Sequence, residues 1–409
     1  MVEKHDSTKT MKTLLLARPD HSIDLYRRLS QEPDIDVIYH TFGIFKKNSL
    51  LSRWKPHVRT VDFQVNISYQ FTAFHRLLYF LQKHFPFDYY KTENQVSEYF
   101  YRQIIQKTAN DLDLIHYWPV YSYKAIRAFK KSNPQTKLLA DVYAAHPIYA
   151  QKILEPEFDK YGISFRKSHF SKSSERDILS LENVENIVVP SEYLAEIYRQ
   201  YLPKTNIFTA SFGLLNFRKN VNANQQLRVN RKPLSMVFVG KISIEKGCFY
   251  LLEAMKKLPP NEFQLDMIGD IEHSQSTIFQ KYCHLSNIRF LGKLPNHQVL
   301  SLISKYHVFV MPSLSDAYSL AVSEALSSKI PVIVTENVGN KNDILKFQIG
   351  EICKVKSIES LMQTILNFQN EEYRQFLKSN IENFIRDDKK YDYASRVFNI
   401  YQTLIYNNQ

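Results

Sequence analysis

The chain has 409 residues, of which 44% are hydrophobic and 23% are charged, and this composition predicts a folded globular protein of two to three domains. Because its apolar stretches are under ten residues long and its first twelve residues are polar, we expect neither a bilayer-spanning segment nor a signal peptide. The net charge is +12, and residues 201–250 carry 8 Lys and Arg against 1 Asp and Glu, which indicates a phosphate-bearing ligand, an anionic surface or a solvated basic linker.

Short apolar runs alternate with helical patterns along the chain, which predicts an α/β architecture with parallel sheets. Six runs in the first half are predicted strands: Thr13–Ala17, Val37–Tyr39, Leu114–His116, Leu138–Val142, Ile187–Val189 and Ile207–Thr209. Six more follow in the second half: Met236–Val239, Leu265–Ile268, Ile288–Leu291, Val308–Met311, Val332–Val334 and Ile352–Val355. We expect each half to form its own doubly wound, Rossmann-like sheet.

The two halves are joined by a polar stretch. Residues 218–233 are rich in Asn, Gln and basic side chains and have no apolar period, which is typical of a linker. We therefore place an N-terminal domain at 1–217 and a C-terminal domain at 234–385. The remaining residues, 386–409, are predicted to form a helix that packs back on the N-terminal domain.

An aromatic-rich segment lies in the first domain. Residues 63–101 hold 13 aromatic side chains, including those of Thr72–His84, whose apolar residues cover a wide helix face. Two interpretations remain open. The segment is either a core-packed helix or a cleft or membrane-surface element that meets a lipid-linked or sugar acceptor.

Glycine is scarce, with only 9 residues, yet three glycines of the second half each directly follow a predicted strand. They are Gly240, Gly269 and Gly292. Glycine at the carboxyl end of a parallel strand permits a sharp turn and a close approach of ligand to backbone. Since ligands of open α/β sheets bind at that edge, the pattern favours a ligand-binding edge in the second domain.

The first candidate motif is the loop GKISIEKG at 240–247, which connects a strand to an amphipathic helix that begins near Gly247. A helix N-terminus favours phosphate, and Lys241 and Lys246 add two charges suited to a diphosphate. The spacing matches neither the ATP-binding nor the NAD-binding glycine motif. The alternative is a pair of solvated loop lysines.

The second candidate motif is PSLSDAYSLAVSEAL at 312–326, in which a helix is predicted to begin near Ser319. Asp316 lies in the loop, where it is either a ligand-binding carboxylate or a helix-capping acceptor. Glu324 lies in an apolar helical run, and a half-buried carboxylate needs a partner. A pair of ligand hydroxyls would serve.

Two apparent metal signatures can be set aside. The Asp pairs 34/36 and 111/113 have D-x-D spacing, but both precede their strands and so lie at the wrong sheet edge for a ligand. None of the 13 histidines has a metal-binding spacing, so we expect no metal and no cofactor. The three cysteines form no metal or disulfide framework, which predicts a reducing compartment, the cytoplasm.

Together, the two motifs resemble those of the retaining GT-B glycosyltransferases of family 4. Those enzymes carry G-R-x-x-x-x-K-G, which residues 240–247 match with Lys241 in place of Arg. They also carry two Glu separated by seven residues after a Pro-Ser pair, and here Asp316 and Glu324 follow the pair at 312–313. The family's Glu-Gly-Phe-Gly appears as residues 316–319, Asp-Ala-Tyr-Ser, which implies a different sugar pocket.

The resemblance continues through the first half of the chain. Asp113–His116 and Glu182–Glu192 are similar to family strands, and Phe212–Asn216 is similar to the turn before the family's linker. Asp141–His146 resembles the segment whose His approaches the transferred sugar. The family's glycine-rich loop after the first strand is replaced by Arg18–Ser22.

The resemblance implies a two-domain GT-B enzyme that transfers a sugar from a nucleotide-diphosphate sugar to a hydroxyl acceptor with retention of configuration. His146, Asp316 and Lys246 are the catalytic candidates: Asp316 for the sugar hydroxyls, His146 near the reacting carbon and Lys246 on the leaving diphosphate. The implied donor-binding set is Gly240, Lys241, Lys246, Ser319, Leu320 and Glu324, with Glu324 on the ribose.

The expected partners are a nucleotide-sugar donor and a glycan or lipid-linked acceptor of cell-surface polysaccharide or glycolipid biosynthesis. We expect no nucleic acid partner, since no recognition pattern accompanies the basic charge. Contact with the inner face of an anionic membrane would make the protein peripheral. Two alternatives remain: a nucleotide-sugar isomerase on the same fold, and a catalytically inactive glycan- or membrane-binding homologue.

Overall fold

The computed structural model describes residues 10–16, 22–41, 45–46, 60–61, 66–67, 77, 89–108, 111–165, 169–214, 233–387 and 393–406. Within these residues the chain forms two parallel sheets with helices between successive strands, so the predicted α/β class with one doubly wound sheet in each half is confirmed. The predicted linker lies outside the described residues except for Pro233. Of the aromatic-rich segment, only residues 66–67, 77 and 89–101 are described.

The first half forms a seven-stranded sheet. Its described elements are β1 (Met11–Leu16), α1 (Ser22–Leu29), β2 (Ile35–Thr41), β3 (Phe45–Lys46), β4 (Thr60–Val61), β5 (Asn66–Ile67), α2 (Tyr89–Thr108), β6 (Leu114–Tyr117), α3 (Pro119–Ser132), β7 (Lys137–Asp141), α4 (Pro147–Asp159), α5 (His169–Leu181), β8 (Asn186–Val189), α6 (Glu192–Tyr201) and β9 (Asn206–Thr209). The strand order is β5-β2-β1-β6-β7-β8-β9, and β3 pairs with β4 separately.

The second half forms a six-stranded sheet. Its described elements are β10 (Leu234–Val239), α7 (Cys248–Lys257), β11 (Phe263–Ile268), α8 (Ser276–Gln280), β12 (Ile288–Gly292), α9 (Asn296–Ile303), β13 (Val308–Met311), α10 (Leu320–Ser327), β14 (Val332–Thr335), α11 (Lys341–Phe347), β15 (Gly350–Cys353), α12 (Ile358–Asn367), α13 (Glu371–Asp387) and α14 (Tyr393–Tyr406). The strand order is β12-β11-β10-β13-β14-β15.

Sequence and structure differ at the last strand of the second sheet. The apolar run predicts a strand at Ile352–Val355, whereas β15 begins two residues earlier at Gly350. A Cβ at Gly350 would lie 2.2 Å from the carbonyl oxygen of Val332, so this glycine lets β15 pair closely with β14. The two-residue strands β3, β4 and β5 are too short to produce an apolar pattern.

Both faces of the N-terminal sheet are buried, because helices cover a doubly wound sheet on both sides. Along β1, Leu14 and Leu16 pack into one apolar cluster, and Leu15 between them packs into another on the opposite face. The second cluster includes Val397 and Tyr401 of α14. The chain's last described helix therefore packs on the first sheet.

Helix α4 connects the two halves. It follows β7 of the first sheet, yet Leu154 and Phe158 belong to the apolar cluster of the second. The buried Glu157 carboxylate accepts hydrogen bonds from Tyr250 and Lys160, and it also forms an ion pair with Lys356 of the second half. Within the part of the chain that the structure describes, no helix is both long and apolar enough to cross a membrane.

Candidate functional site

The candidate site lies at the carboxyl edge of the second sheet, where the strand order reverses between β10 and β13. Loops leave the two strands toward opposite faces at such a point and leave a crevice between them, which is where open α/β sheets bind ligands. The loop after β10 is residues 240–247, and the loop after β13 is residues 312–319. Both predicted motifs therefore flank one crevice.

The predicted edge glycines adopt conformations that favour glycine. Gly240, Gly269 and Gly292 have φ values of 148°, 145° and 66°. A Cβ on Gly269 would lie 1.9 Å from the carbonyl oxygen of Gly240. The backbones after β10 and β11 thus pass each other in direct contact, and the predicted approach of a ligand to these glycines stays a prediction.

Gly247 brings the two motifs into contact. It occupies the position before α7 with φ 66°, and a Cβ there would lie 1.9 Å from the carbonyl oxygen of Pro312. The side chain of the preceding residue, Lys246, donates a hydrogen bond of 2.6 Å to Asp316. The sequence predicts both residues as ligand-binding groups, and the structure shows that they pair with each other.

Electrostatics keep the Lys246 ammonium charged. Burial lowers the pKa of Lys246, but the adjacent Asp316 carboxylate outweighs this effect and raises the pKa above its usual value. Lys241 forms an ion pair with Glu272, a residue that no sequence motif marks. Both lysines of the loop thus have carboxylate partners, and an incoming diphosphate would have to share or replace those partners.

The helix-capping interpretation of Asp316 is wrong. The residue before α10 is Ser319, and its N–H donates to Asn340 Oδ1 at 2.7 Å. The backbone of Asp316 pairs instead with Asn337 and Gly339. The Ser319 N–H is thus already used within the protein, whereas the N–H of Leu320, in the first turn of α10, has no partner inside the helix.

Glu324 is buried in α10, with 8% of its surface exposed, and Asn296 donates to its Oε1 at 3.1 Å. Burial raises the pKa of Glu324, and the Asn296 hydrogen bond only partly opposes this effect. Ligand hydroxyls are the partner that the sequence predicts for this carboxylate. The structure adds a protein partner from α9 that no motif indicates.

His146 is the predicted site residue of the first domain. It precedes α4, is 4% exposed, and stacks on Tyr201 with ring centroids 4.5 Å apart. Burial lowers its pKa to about 4, so the imidazole is neutral near pH 7. Its Nδ1 is buried without a hydrogen-bond partner. A buried polar atom of this kind is unusual and marks His146 as a candidate for ligand contact.

The two D-x-D pairs lie at the opposite, amino edge of the first sheet. β2 begins at Ile35 and β6 at Leu114, and Asp113 accepts a hydrogen bond from the backbone of Lys12. Asp36 is the second residue of β2, and the other three aspartates precede their strands. Among the described residues, no group of three or more His, Cys, Asp and Glu side chains could hold a metal ion.

Several residues near the site carry no motif signal. Asn296, Asn340 and Glu272 bind the predicted residues, and Ser191 and Tyr193 of the first domain contact the loop after β13. Asn340 and Ser191 follow β14 and β8, so the rule that ligands bind at the carboxyl edge could have identified them. Nothing in the sequence marks Asn296 or Glu272.

Comparison with known proteins identifies similar glycosyltransferases. Residues 220–384 match the family model for glycosyl transferases group 1. A Bacillus subtilis protein named for teichuronic acid biosynthesis, the glycosyltransferase TuaC, is 30% identical over 41% of this chain and 42% of its own length. An Escherichia coli UDP-Gal:alpha-D-GlcNAc-diphosphoundecaprenol alpha-1,3-galactosyltransferase is 23% identical over 39% of this chain and 42% of its own. The matches thus span less than half of either relative.

The fold is similar over nearly the whole chain. The crystal structure of HepE from Anabaena in complex with UDP superposes with a TM-score of 0.56 at 14% identity, covering 97% of this chain and 99% of that one. The predicted GT-B fold, with two Rossmann-like domains, is therefore confirmed. The family match, by contrast, lies in the second half of the chain, which contains both motifs and their crevice.

Proposed function

We propose that the protein is a glycosyltransferase that moves a sugar from a nucleotide-diphosphate sugar to a hydroxyl of a glycan or lipid-linked acceptor, with retention of anomeric configuration. The observation that carries this proposal is the contact between the two motif loops, in which Gly247 lies against Pro312 and Lys246 binds Asp316. This contact lies at the strand-order reversal of the half that matches the glycosyltransferase family.

The proposed chemistry places the donor in the second domain. Lys246 and Lys241 stabilise the charge that develops on the diphosphate as the bond from the sugar's anomeric carbon to the phosphate oxygen breaks. Asp316 binds sugar hydroxyls, and Glu324 binds the ribose. The acceptor oxygen bonds to the face of the anomeric carbon from which the phosphate leaves, and the acceptor's proton passes to that phosphate.

His146 contributes a neutral imidazole near the reacting carbon. A neutral ring can donate one hydrogen bond and accept another, whereas a charged ring would repel positive charge that develops on the sugar. The low pKa of His146 keeps the ring neutral throughout the physiological range. We assign the acceptor to the first domain, beside this residue.

Cell-surface polysaccharide or glycolipid biosynthesis is the proposed context, because one relative is named for teichuronic acid biosynthesis and another for galactosyl transfer to GlcNAc-diphosphoundecaprenol. A thermal-shift panel tests the donor assignment with UDP, GDP, ADP, UDP-glucose, UDP-galactose and GDP-mannose. A bound nucleotide raises the melting temperature by mass action. If no nucleotide or nucleotide sugar shifts it, the proposal fails.

Two rival functions give different results in the same assays. An isomerase would convert the nucleotide sugar without any acceptor and without release of nucleotide. An inactive binding homologue would bind a glycan or membrane but release no nucleotide from any nucleotide sugar. A transferase releases the nucleotide in proportion to the acceptor that it modifies.

The Glu324→Gln variant should change stability and binding in opposite directions. Because burial raises the pKa of Glu324, its ionised form costs folding free energy at pH 7, and this cost disappears as pH falls through the raised pKa. Glutamine keeps the hydrogen bond from Asn296 without the charge, so we expect a higher melting temperature. Affinity for UDP should fall, because hydrogen bonds from ribose hydroxyls to a charged acceptor are the stronger ones.

Calorimetric titration with UDP and a melting curve check this pair of effects. The matched control is Glu382→Gln, which neutralises an exposed glutamate of α13 paired with Lys329. It should leave UDP affinity unchanged. A Glu324→Gln variant that melts at a lower temperature and binds UDP normally would show that this carboxylate is purely structural.

Membrane attachment is the proposed route to a lipid-linked acceptor, through basic and aromatic residues of the first domain between positions 53 and 101. Each Lys or Arg near an anionic leaflet contributes ~1 kcal/mol, which salt screens. We expect flotation with anionic vesicles at low salt and release at high salt. Binding that is absent, or independent of both lipid charge and salt, contradicts peripheral attachment.

A further inference from the structure

The loop that carries Asp316 is held from the opposite domain on both sides of that residue. The hydroxyl of Tyr193 lies 3.0 Å from Ser315 Oγ, and Ser191 Oγ donates to the carbonyl of Ala317 at 2.7 Å. Tyr193 and Ser191 belong to the first domain, at the start of α6. Asp316 is therefore flanked by two hydrogen bonds that cross between the domains.

The next loop residue is also packed on the first domain. The ring of Tyr318 contacts Phe212 edge to face, with centroids 5.6 Å apart, and belongs to the apolar cluster of the first sheet. Close packing beside Ala317 and Ser191 leaves no space for a side chain at Gly339. A Cβ on Gly339 would lie 1.9 Å from the Ala317 carbonyl oxygen and 2.7 Å from Ser191 Oγ.

Tyr193 is placed to act through its hydroxyl. It is buried, and burial raises the pKa of the phenol well above its usual value, so the hydroxyl remains protonated. The same hydroxyl donates to Tyr149 at 3.3 Å, which leaves its lone pairs for the Ser315 hydroxyl. Lys341 Nζ lies 5.5 Å from the ring centroid, a contact that does not involve the hydroxyl.

We propose that Tyr193 is a positioning residue that sets the Asp316 loop through Ser315, so that the sugar-binding carboxylate takes its working position only while the two domains are in contact. A rotation that moves the start of α6 away from the loop after β13 would break both hydrogen bonds. The inference rests on the proposed function, because that function assigns Asp316 to the donor sugar. It predicts that cleavage of the donor sugar depends on the first domain, whereas nucleotide binding does not.

Tyr193→Phe tests this coupling, since it removes one hydroxyl and keeps the ring. We expect faster backbone amide hydrogen exchange in residues 313–319, unchanged UDP affinity, and about fivefold slower UDP release from UDP-glucose or UDP-galactose, the loss of one neutral hydrogen bond. Ser315→Ala should reproduce these effects. The double variant should be no worse than either single variant, because both remove the same contact.

Tyr149→Phe is the matched control, since it removes the other hydroxyl partner of Tyr193 and keeps both hydroxyls of the Tyr193–Ser315 contact. It should leave exchange in residues 313–319 and UDP release at wild-type levels. The inference is overturned if residues 313–319 exchange at the wild-type rate in Tyr193→Phe. It is also overturned if the effects of the two substitutions add in the double variant, or if UDP affinity falls in parallel. Faster loop exchange in a chain whose wild type neither binds nor cleaves nucleotide sugars would support the contact and overturn the proposed function instead.

Discussion

Replacing Gly247 with alanine is expected to lower the free energy of unfolding by about 2–5 kcal/mol and to abolish tight UDP binding. Two unfavourable effects add. Alanine at φ 66° must adopt the left-handed backbone conformation, which its Cβ disfavours. That Cβ would also lie 1.9 Å from the Pro312 carbonyl oxygen, so the two motif loops must separate. Separation moves Lys246 away from Asp316. Urea unfolding and UDP titration measure the two effects.

Gly292→Ala is the matched control for this experiment. Gly292 has the same φ of 66°, but nothing lies within 4 Å of an added Cβ. The control therefore carries only the left-handed penalty, about 1–2 kcal/mol. If the two alanine variants unfold at the same urea concentration, the contact between the loops contributes nothing, and the site as described is wrong.

The double substitution Lys241→Ala/Lys246→Ala should weaken UDP binding by at least about a hundredfold, since hydrogen bonds to charged groups contribute about 1.5–3 kcal/mol each. Removing Lys246 also leaves the Asp316 carboxylate without its ammonium partner, next to the proposed diphosphate position. That carboxylate then repels the diphosphate. Calorimetric titration at two salt concentrations checks the result, and the salt dependence of affinity should decrease with the lost charges.

Lys329→Ala provides the control for charge. Lys329 forms an exposed ion pair with Glu382 after α10 and contacts neither motif loop in the structure. Its removal lowers the positive net charge, as the double substitution does. UDP affinity should stay within about twofold of wild type, as expected for an exposed pair. If the double alanine variant and this control bind UDP with equal affinity, the assignment of Lys241 and Lys246 to the diphosphate is wrong.

The sequence predicts most of what depends on short-range pattern. Apolar runs that alternate with helical patterns predict six of the seven strands of the first sheet and all six of the second, and the carboxyl-edge rule places residues 240–247 and 312–319 at one edge. The role of Asp316 stays open in the sequence, because aspartate by type is acceptable both as a helix cap and as a ligand-binding carboxylate. Only the tertiary structure, in which α10 begins at Leu320 and Lys246 binds Asp316, excludes the cap.

Other features depend on contacts between distant segments and leave no local signal. The Lys246–Asp316 pair joins residues seventy positions apart, because β10 and β13 are neighbours in the sheet but not along the chain. The packing of α4 against the second domain through Phe158 likewise crosses a boundary that composition places near residue 217. The Tyr193 contact with Ser315 requires both domains to be positioned first.

Hydrogen exchange of the backbone amides with and without saturating UDP locates the bound nucleotide without assuming an acceptor. We predict slower exchange on binding in residues 240–250 and 313–325, the two motif loops and the starts of α7 and α10. Exchange in α2, which packs on α3 of the first domain, should not change. Protection confined to other segments, or none in the two loops while UDP is bound, would contradict the assignment of the site.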